Sequence, residues 1–284
     1  MPIILPTSNH WSKDVPLLKK NKIIRGRFIG PVFARQFYKN IQQLLAPMSQ
    51  ELADMLPWLV NNAGAEQAAY TLTAFQESWR RKLSSSIPGI VYKWRNALND
   101  QDREKLERSL AKAFHVNTAY ILDDDIVGPK IEAQTANAVD LITSIPDDYL
   151  TDVKRAVLNQ YANIPHPGNR SLAEEIRHIA GVSETKAKMI ARDQTAKMTS
   201  SVQQARQTSL GIEGYIWRNS KDRRVVGNPS GLYPKGNSKH GNHWSREGQF
   251  FRWDEPPHDG HPGWPILCRC YAEPVVDPST IDLR

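Results

Sequence analysis

Six residues able to bind a metal crowd into one short stretch: His240, His243, His258, His261, Cys268 and Cys270. Thiolates and imidazoles are the donors that zinc prefers, and four of them close a structural site. The expected ligand set is His243, His261, Cys268 and Cys270, with zinc as the ion. A small β unit with little core gains folding free energy from such an ion. The Cys-x-Cys spacing is tighter than that of common zinc motifs. The competing reading has Cys268 and Cys270 packed as small buried apolar groups, with the histidines hydrogen-bonded within loops. A disulfide between residues two apart would close a small strained ring, so the thiols point to folding in a reducing cytoplasm.

The same stretch allows an enzymatic reading. Asp222, His243 and His261 would supply acid and base, and Arg223, Arg252 or Arg269 would hold a phosphate in a nuclease-like module. However, the chain has no paired-carboxylate metal motif, no phosphate-cradling glycine loop and no nucleophile elbow. Asp222 is expected to close a turn through its side-chain oxygen. Three adjacent carboxylates, Asp123, Asp124 and Asp125, point in different directions and are read as a solvated turn.

These residues need elements to position them, and hydropathy spacing predicts an α+β chain: a mostly helical body followed by a small loop-rich β module. Phe33, Phe37, Ile41 and Leu44 start a helix near Pro31; further helices are expected at Met48–Asn61, Glu66–Ser86 and Asp100–Ala113, the last capped by Asn99 or Asp100. Ile131 to Ile145 forms one stripe up to Pro146, and Leu150 to Tyr161 a second. Ser171 with Glu174 is a capping box. Gly181 is expected to end that helix and Ser183 to cap the next, which runs to Gly211. A helix–hairpin–helix clamp at Ile179–Ser183 lacks its second small Gly. After Gly211, strands are expected at Gly214–Arg218, Arg223–Val226, Gln249–Trp253 and Leu267–Val275. The organisation is thus a basic arm (1–30), a helical body (31–210), the β module (211–276) and a tail (277–284).

Charge is unevenly placed. Residues 1–120 carry 17 Lys/Arg against 9 Asp/Glu, residues 121–175 carry 4 against 10, and residues 176–284 carry 16 against 11. Lys19, Lys20, Lys22, Arg25 and Arg27 are candidates for non-specific contact with double-stranded DNA, since cations release counterions from phosphates without reading bases. Trp79-Arg80-Arg81-Lys82 is a second basic cluster, in which the Trp belongs to a core stripe. The first residues lack a signal peptide's cationic start and apolar run, and no stretch is apolar enough to span a membrane.

An ordered series of motifs carries a resemblance. Ala191-Arg192-Asp193-Gln194-Thr195 is followed by Gly211–Trp217, Asp222-Arg223-Arg224-Val225, His243 with Gly248, and Phe251–Pro257 with Trp253. His258-Asp259-Gly260-His261-Pro262-Gly263 and Cys268-Arg269-Cys270 close it. The succession resembles the phage Mu F-like minor head proteins, also called phage head morphogenesis proteins, over roughly residues 186–276. Two features differ: Gly227–Lys239 lies between the Asp-x-Arg-Val piece and His243, and Arg246-Glu247-Gly248 stands where relatives carry Leu-Asp-Gly. The resemblance implies a non-enzymatic component of the virion, inside the head or at the portal vertex. Its implied partners are portal and major capsid proteins and packaged DNA, with assembly in the bacterial host cytoplasm.

Overall fold

The computed structural model describes residues 22–24, 30–114, 128–236 and 241–277. It is α+β, as expected: four long helices and a small antiparallel sheet. Helix α1 spans Gly30–Asn62, α2 Ala65–Phe114, α3 Pro129–Tyr161 and α4 Leu172–Ser209. The strands are β1 (Lys22–Ile23), β2 (Gly214–Arg218), β3 (Phe250–Arg252) and β4 (Tyr271–Val276), in the order β1-β4-β2-β3. No helix among the described residues is long and apolar enough to cross a membrane.

The helices are fewer and longer than their punctuation suggests. Pro47 and Pro57 lie inside α1, Pro88 inside α2 and Pro146 inside α3. Each proline removes one backbone hydrogen bond, yet the apolar stripes continue in phase across it. In α1 the buried positions Phe37, Ile41, Met48, Leu52 and Leu59 keep helical spacing past Pro47 and Pro57. In α2 the stripe runs Leu83, Ile87, Val91, Trp94, Leu98, Leu106 and Leu110, so the cap expected at Asn99 or Asp100 does not form. The position between Leu98 and Leu106 is filled by buried Asp102, which pairs with Arg206 of α4 at 2.9 Å. Gly181 likewise sits inside α4 and ends nothing; a helical glycine costs only about 1 kcal/mol.

The start of α4 follows the expected capping box. Ser171 Oγ accepts from Glu174 N at 3.3 Å, while Ser171 N donates to Glu174 Oε2 at 2.8 Å. Ser171→Ala should cost about 1 kcal/mol in chemical denaturation, and an unchanged midpoint would argue against this cap. At the other end Gly211 adopts φ +73° just beyond Ser209, and its N–H returns to Thr208 O.

The described residues divide into two compact units. One draws on Met1–Phe33, Arg95–Gln134 and Asp193–Arg284, the other on Ala34–Trp94 and Thr135–Arg192. The second is a helical unit in which Phe37 stacks on Trp94 at 4.1 Å. Trp79 belongs to its core, 8% exposed, with Nε1 donating to Glu51, which leaves the ring unavailable to stack on a base. The first holds the whole sheet together with the last turns of α2 and α4. The boundary therefore does not fall at residue 210. β1, from the segment read as an arm, pairs Lys22 with Val276 and Ile23 with Val275. Ile24 then packs with Leu106, Leu110, Leu210, Ile212 and Val276.

Three of the four expected strands exist. Arg223–Val226 is a run of turns instead: Asp222 Oδ1 accepts from Arg224 N at 2.8 Å, and just before it Asn219 Oδ1 accepts from Lys221 N at 2.8 Å. Asp222 thus closes a turn, as its sequence context predicted. The sheet separates two clusters by alternation. Ile216, Phe250 and Val275 form one, and Tyr215, Trp217, Phe251, Trp253, Cys268, Cys270 and Ala272 the other. Gly214 is required at the start of β2, where a Cβ would lie 2.4 Å from the Phe250 ring and the Phe251 carbonyl.

Candidate metal centre

The cysteines arrive at the aromatic face of the sheet just before β4. Leu267 is held at φ +54°, and its N–H is fixed by buried Asp193 of α4, whose Oδ1 accepts it at 2.8 Å. Asp193 also pairs with Lys197 at 2.7 Å. Gly263, at φ +93°, runs so close to α4 that a Cβ would lie 2.8 Å from Ala196 O; its N–H points to Cys268 Sγ at 3.5 Å. Cys270 N adds a second donor to the same sulfur at 3.4 Å.

His243 faces both thiols. Its Nδ1 lies 3.6 Å from Cys268 Sγ and 3.6 Å from Cys270 Sγ, and the three ligand atoms fall within 4.8 Å of one another. All three residues are buried. This is the sole such group among the described residues, and it is a possible metal site. The far ring nitrogen, Nε2, meets Asp259 Oδ2 at 2.9 Å, and Arg246 Nη1 stands 2.7 Å from Asp259 Oδ1 as an ion pair. A carboxylate on one imidazole nitrogen fixes the ring and directs the other toward an ion. Trp217 buttresses the ring edge-on at 5.2 Å, and the Arg246 guanidinium covers the indole at 4.9 Å.

The electrostatics suit a cation. Burial opposes ionisation of Cys268, but hydrogen bonds from Cys270 and His243 outweigh it and hold the thiol well below its ordinary range. The Cys270 thiol is pushed up by its bond to the Cys268 sulfur and by burial. His243 is lowered by burial, but Asp259 and Cys268 together raise it to about 9. Without an ion the cluster therefore keeps protons on His243 and Cys270, where a divalent cation would take their place. The nearby Trp217 indole N–H favours the ionised form of Cys270. The residues fit a metal: two thiols, one oriented imidazole, and N–H groups aimed at sulfur.

The expected fourth ligand, His261, is elsewhere. Its Nδ1 meets the Tyr215 hydroxyl at 2.9 Å and its Nε2 the Gln204 amide nitrogen at 3.3 Å, with Trp253 packed on the ring at 4.8 Å. A buried imidazole between a hydroxyl and an amide is already satisfied, and that is why it does not join the thiols. Burial, with the nearby Lys130 cation, depresses it to about 4. The unfolded chain takes up this proton near pH 6.5 and the folded chain only near 4, so stability is full above pH 6.5 and falls as the pH drops through that window. A displacement of this size corresponds to about 3 kcal/mol. Denaturation midpoints at pH 7 and pH 5 should therefore converge in His261→Asn relative to the parent; an equal acid-side loss in both would count against it.

The remaining motif residues hold the unit together. Trp253 Nε1 donates to Gln207 of α4 at 3.0 Å. Arg269 bonds Asp222, which ties the cysteine turn to the loop after β2. Arg223 gives its carbonyl to Leu232 N, Pro262 is buried beside His261, and Arg192 is exposed. Gly248 has φ +79°. The Arg246-Glu247-Gly248 departure acquires roles here: Arg246 reaches Asp259, and Glu247 accepts from Asn219 N at 2.7 Å beside Arg218. Asp222, His243 and His261, the acid–base set of the enzymatic reading, each have a different partner and do not converge.

Two contributors escaped sequence reasoning. Asp259 was quoted only within the motif series, although a carboxylate between two histidines is itself a signal for a group that orients an imidazole; Arg246, 13 residues upstream, gave none. Lys19, Lys20, Arg25, Arg27 and the side chain of Lys22 lie outside the described residues, as do His240 and Asp123–Asp125.

Comparison with known proteins gives little to set beside this geometry. No family model matches the chain, and no solved structure does. It is similar to an uncharacterized protein of Haemophilus influenzae, 34% identical across 93% of this chain. The match takes in 59% of the relative, so the chain spans about three fifths of that protein's length.

Proposed function

We propose that this chain is a minor head protein of a tailed bacteriophage, a structural component associated with portal and capsid proteins and close to packaged DNA. One observation supports this most: the motif residues that resemble the Mu F-like family bind one another inside a single unit. Asp193 holds the cysteine turn, Asp222 holds Arg269, Trp253 docks on Gln207, and His243 faces Cys268 and Cys270. Residues used in this way build a rigid module suited to assembly.

The ion this reading assigns is zinc, held by Cys268, Cys270 and His243 Nδ1, with Asp259 orienting the imidazole. Zinc is redox-inert and takes mixed thiolate and imidazole ligands, and it would staple a sheet of short strands to the loop that carries His243. The basic segment with Lys19, Lys20, Lys22, Arg25 and Arg27 supplies non-specific phosphate contacts. The test is fractionation of particles from an induced or infected host. The chain is expected in DNA-filled heads after gradient purification, and cross-linked to portal protein. A chain found free in the lysate and missing from heads would overturn the reading.

A further inference from the structure

The loop between β2 and β3 carries cations that the fold leaves unneutralised. No Asp or Glu occurs between Asp222 and Glu247, and both of these are engaged. Asp222 takes Arg269, the Ser220 hydroxyl and the Arg224 N–H; Glu247 takes Asn219 N at 2.7 Å and Arg218 at 3.4 Å. Arg223, Arg224 and Lys235 are exposed, and no carboxylate among the described residues pairs with them. The loop is nevertheless a built structure. Leu232 N donates to Arg223 O at 2.6 Å and Gly227 N to Tyr233 O at 2.8 Å, which lays one limb of the loop against the other. Asn228, 6% exposed, closes it from within, donating to Asp222 O and accepting from Ser230 N, each at 3.0 Å. The limbs cross so closely that a Cβ on Gly231 would lie 2.6 Å from Arg223 O. Tyr233, 56% exposed, shares this surface with the cations.

We propose that this loop is a phosphate-binding surface for the backbone of double-stranded DNA, with Arg223, Arg224 and Lys235 as the cations and the Tyr233 hydroxyl as an uncharged donor. The proposal rests on the reading of a chain close to packaged DNA, and it places a contact in the β unit, apart from the basic segment at 19–27. Arginine presents a planar fork of N–H groups that matches phosphate, and tyrosine is a regular donor to it. Cations without carboxylate partners release counterions from DNA with no ion pair to break first. A DNA strand repeats its charge every ~3.4 Å, so a short row of cations meets phosphates in any register. An acidic protein face offers no such repeat, which favours the duplex as the partner.

The test is fluorescence anisotropy of a labelled duplex of mixed sequence, titrated with the full chain across a salt series. Arg223→Ser/Arg224→Ser/Lys235→Ser should weaken binding about tenfold or more at low salt and flatten the plot of log Kd against log salt by about 2–3, one phosphate per cation. Arg223→Lys/Arg224→Lys keeps the charge and should keep the slope. Tyr233→Phe should weaken binding with the slope unchanged. Near-ultraviolet circular dichroism of the triple variant should match the parent, since all three side chains are exposed. A triple variant with the parent's affinity and slope would overturn the proposal; if Lys19→Ser/Lys20→Ser/Arg25→Ser/Arg27→Ser then abolished binding, the contact with DNA would stand and only its place in the β unit would fall. Competition by polyglutamate equal to that of unlabelled duplex would assign the surface to an acidic protein and overturn the proposal as well. The head-protein reading is decided separately, by the fractionation of particles.

Discussion

Replacing both thiols, Cys268→Ser with Cys270→Ser, is expected to melt the β unit and lower stability by about 5 kcal/mol or more. The physical ground is that binding free energy at a structural zinc site is folding free energy, about 10–16 kcal/mol in small zinc domains. We expect less than that range here, because Tyr215, Trp217, Phe251 and Trp253 form a buried apolar cluster of their own. Serine is nearly isosteric, so lost packing alone accounts for only about 1–2 kcal/mol. Near-ultraviolet circular dichroism reads the change, since Trp217 and Trp253 are buried beside the cysteines. A chelator should bring the parent protein to the same state and leave the double variant unmoved. A double variant as stable as its parent would mean that the cysteines are ordinary core residues.

Asp102→Ala is expected to cost about 3–5 kcal/mol, and Arg206→Ala a similar amount. Arg206 Nη1 meets Asp102 Oδ2 at 2.9 Å and Nη2 meets Asn99 Oδ1 at 2.6 Å, with side-chain exposures of 5% for Arg206 and 8% for Asp102. Burial pushes the Asp102 carboxyl up and Arg206 draws it down, so neither group tolerates the loss of the other. Removing one partner strands a charge where water does not reach. Replacing both, Asp102→Leu with Arg206→Met, should restore most of the loss, because a buried ion pair is often equalled by apolar groups of similar volume. Urea denaturation of the two singles and the double completes the cycle. Single variants costing less than about 1 kcal/mol would show that the pair is hydrated in solution.

The helices were legible wherever one stripe repeated, and the strands wherever aromatic and β-branched residues alternated. Ser171 with Glu174, Gly211 and the turn at Asp222 were legible for the same reason: each acts within a few residues of itself. Punctuation misled where tertiary packing overrode it. Pro146 and Gly181 read as stops and Asp100 as a start, yet the stripe on either side stayed in phase and the helix ran on. β1 was not legible, because two residues paired with a strand some 250 positions away leave no local pattern.

At the candidate site, donor chemistry marked His243, Cys268 and Cys270, and these three do converge. It marked His261 equally, and composition cannot tell an imidazole facing sulfur from one facing Tyr215. Asp259 and Arg246 were passed over because their roles consist of orienting His243, a relation set by the fold and not by spacing.

Metal analysis of the untagged protein, purified without chelators, tests the central claim most directly. We predict close to one equivalent of zinc per chain bound at the cysteine cluster, lost in Cys268→Ser/Cys270→Ser. A well-folded parent protein free of metal, with near-ultraviolet signals unchanged by added zinc, would contradict it.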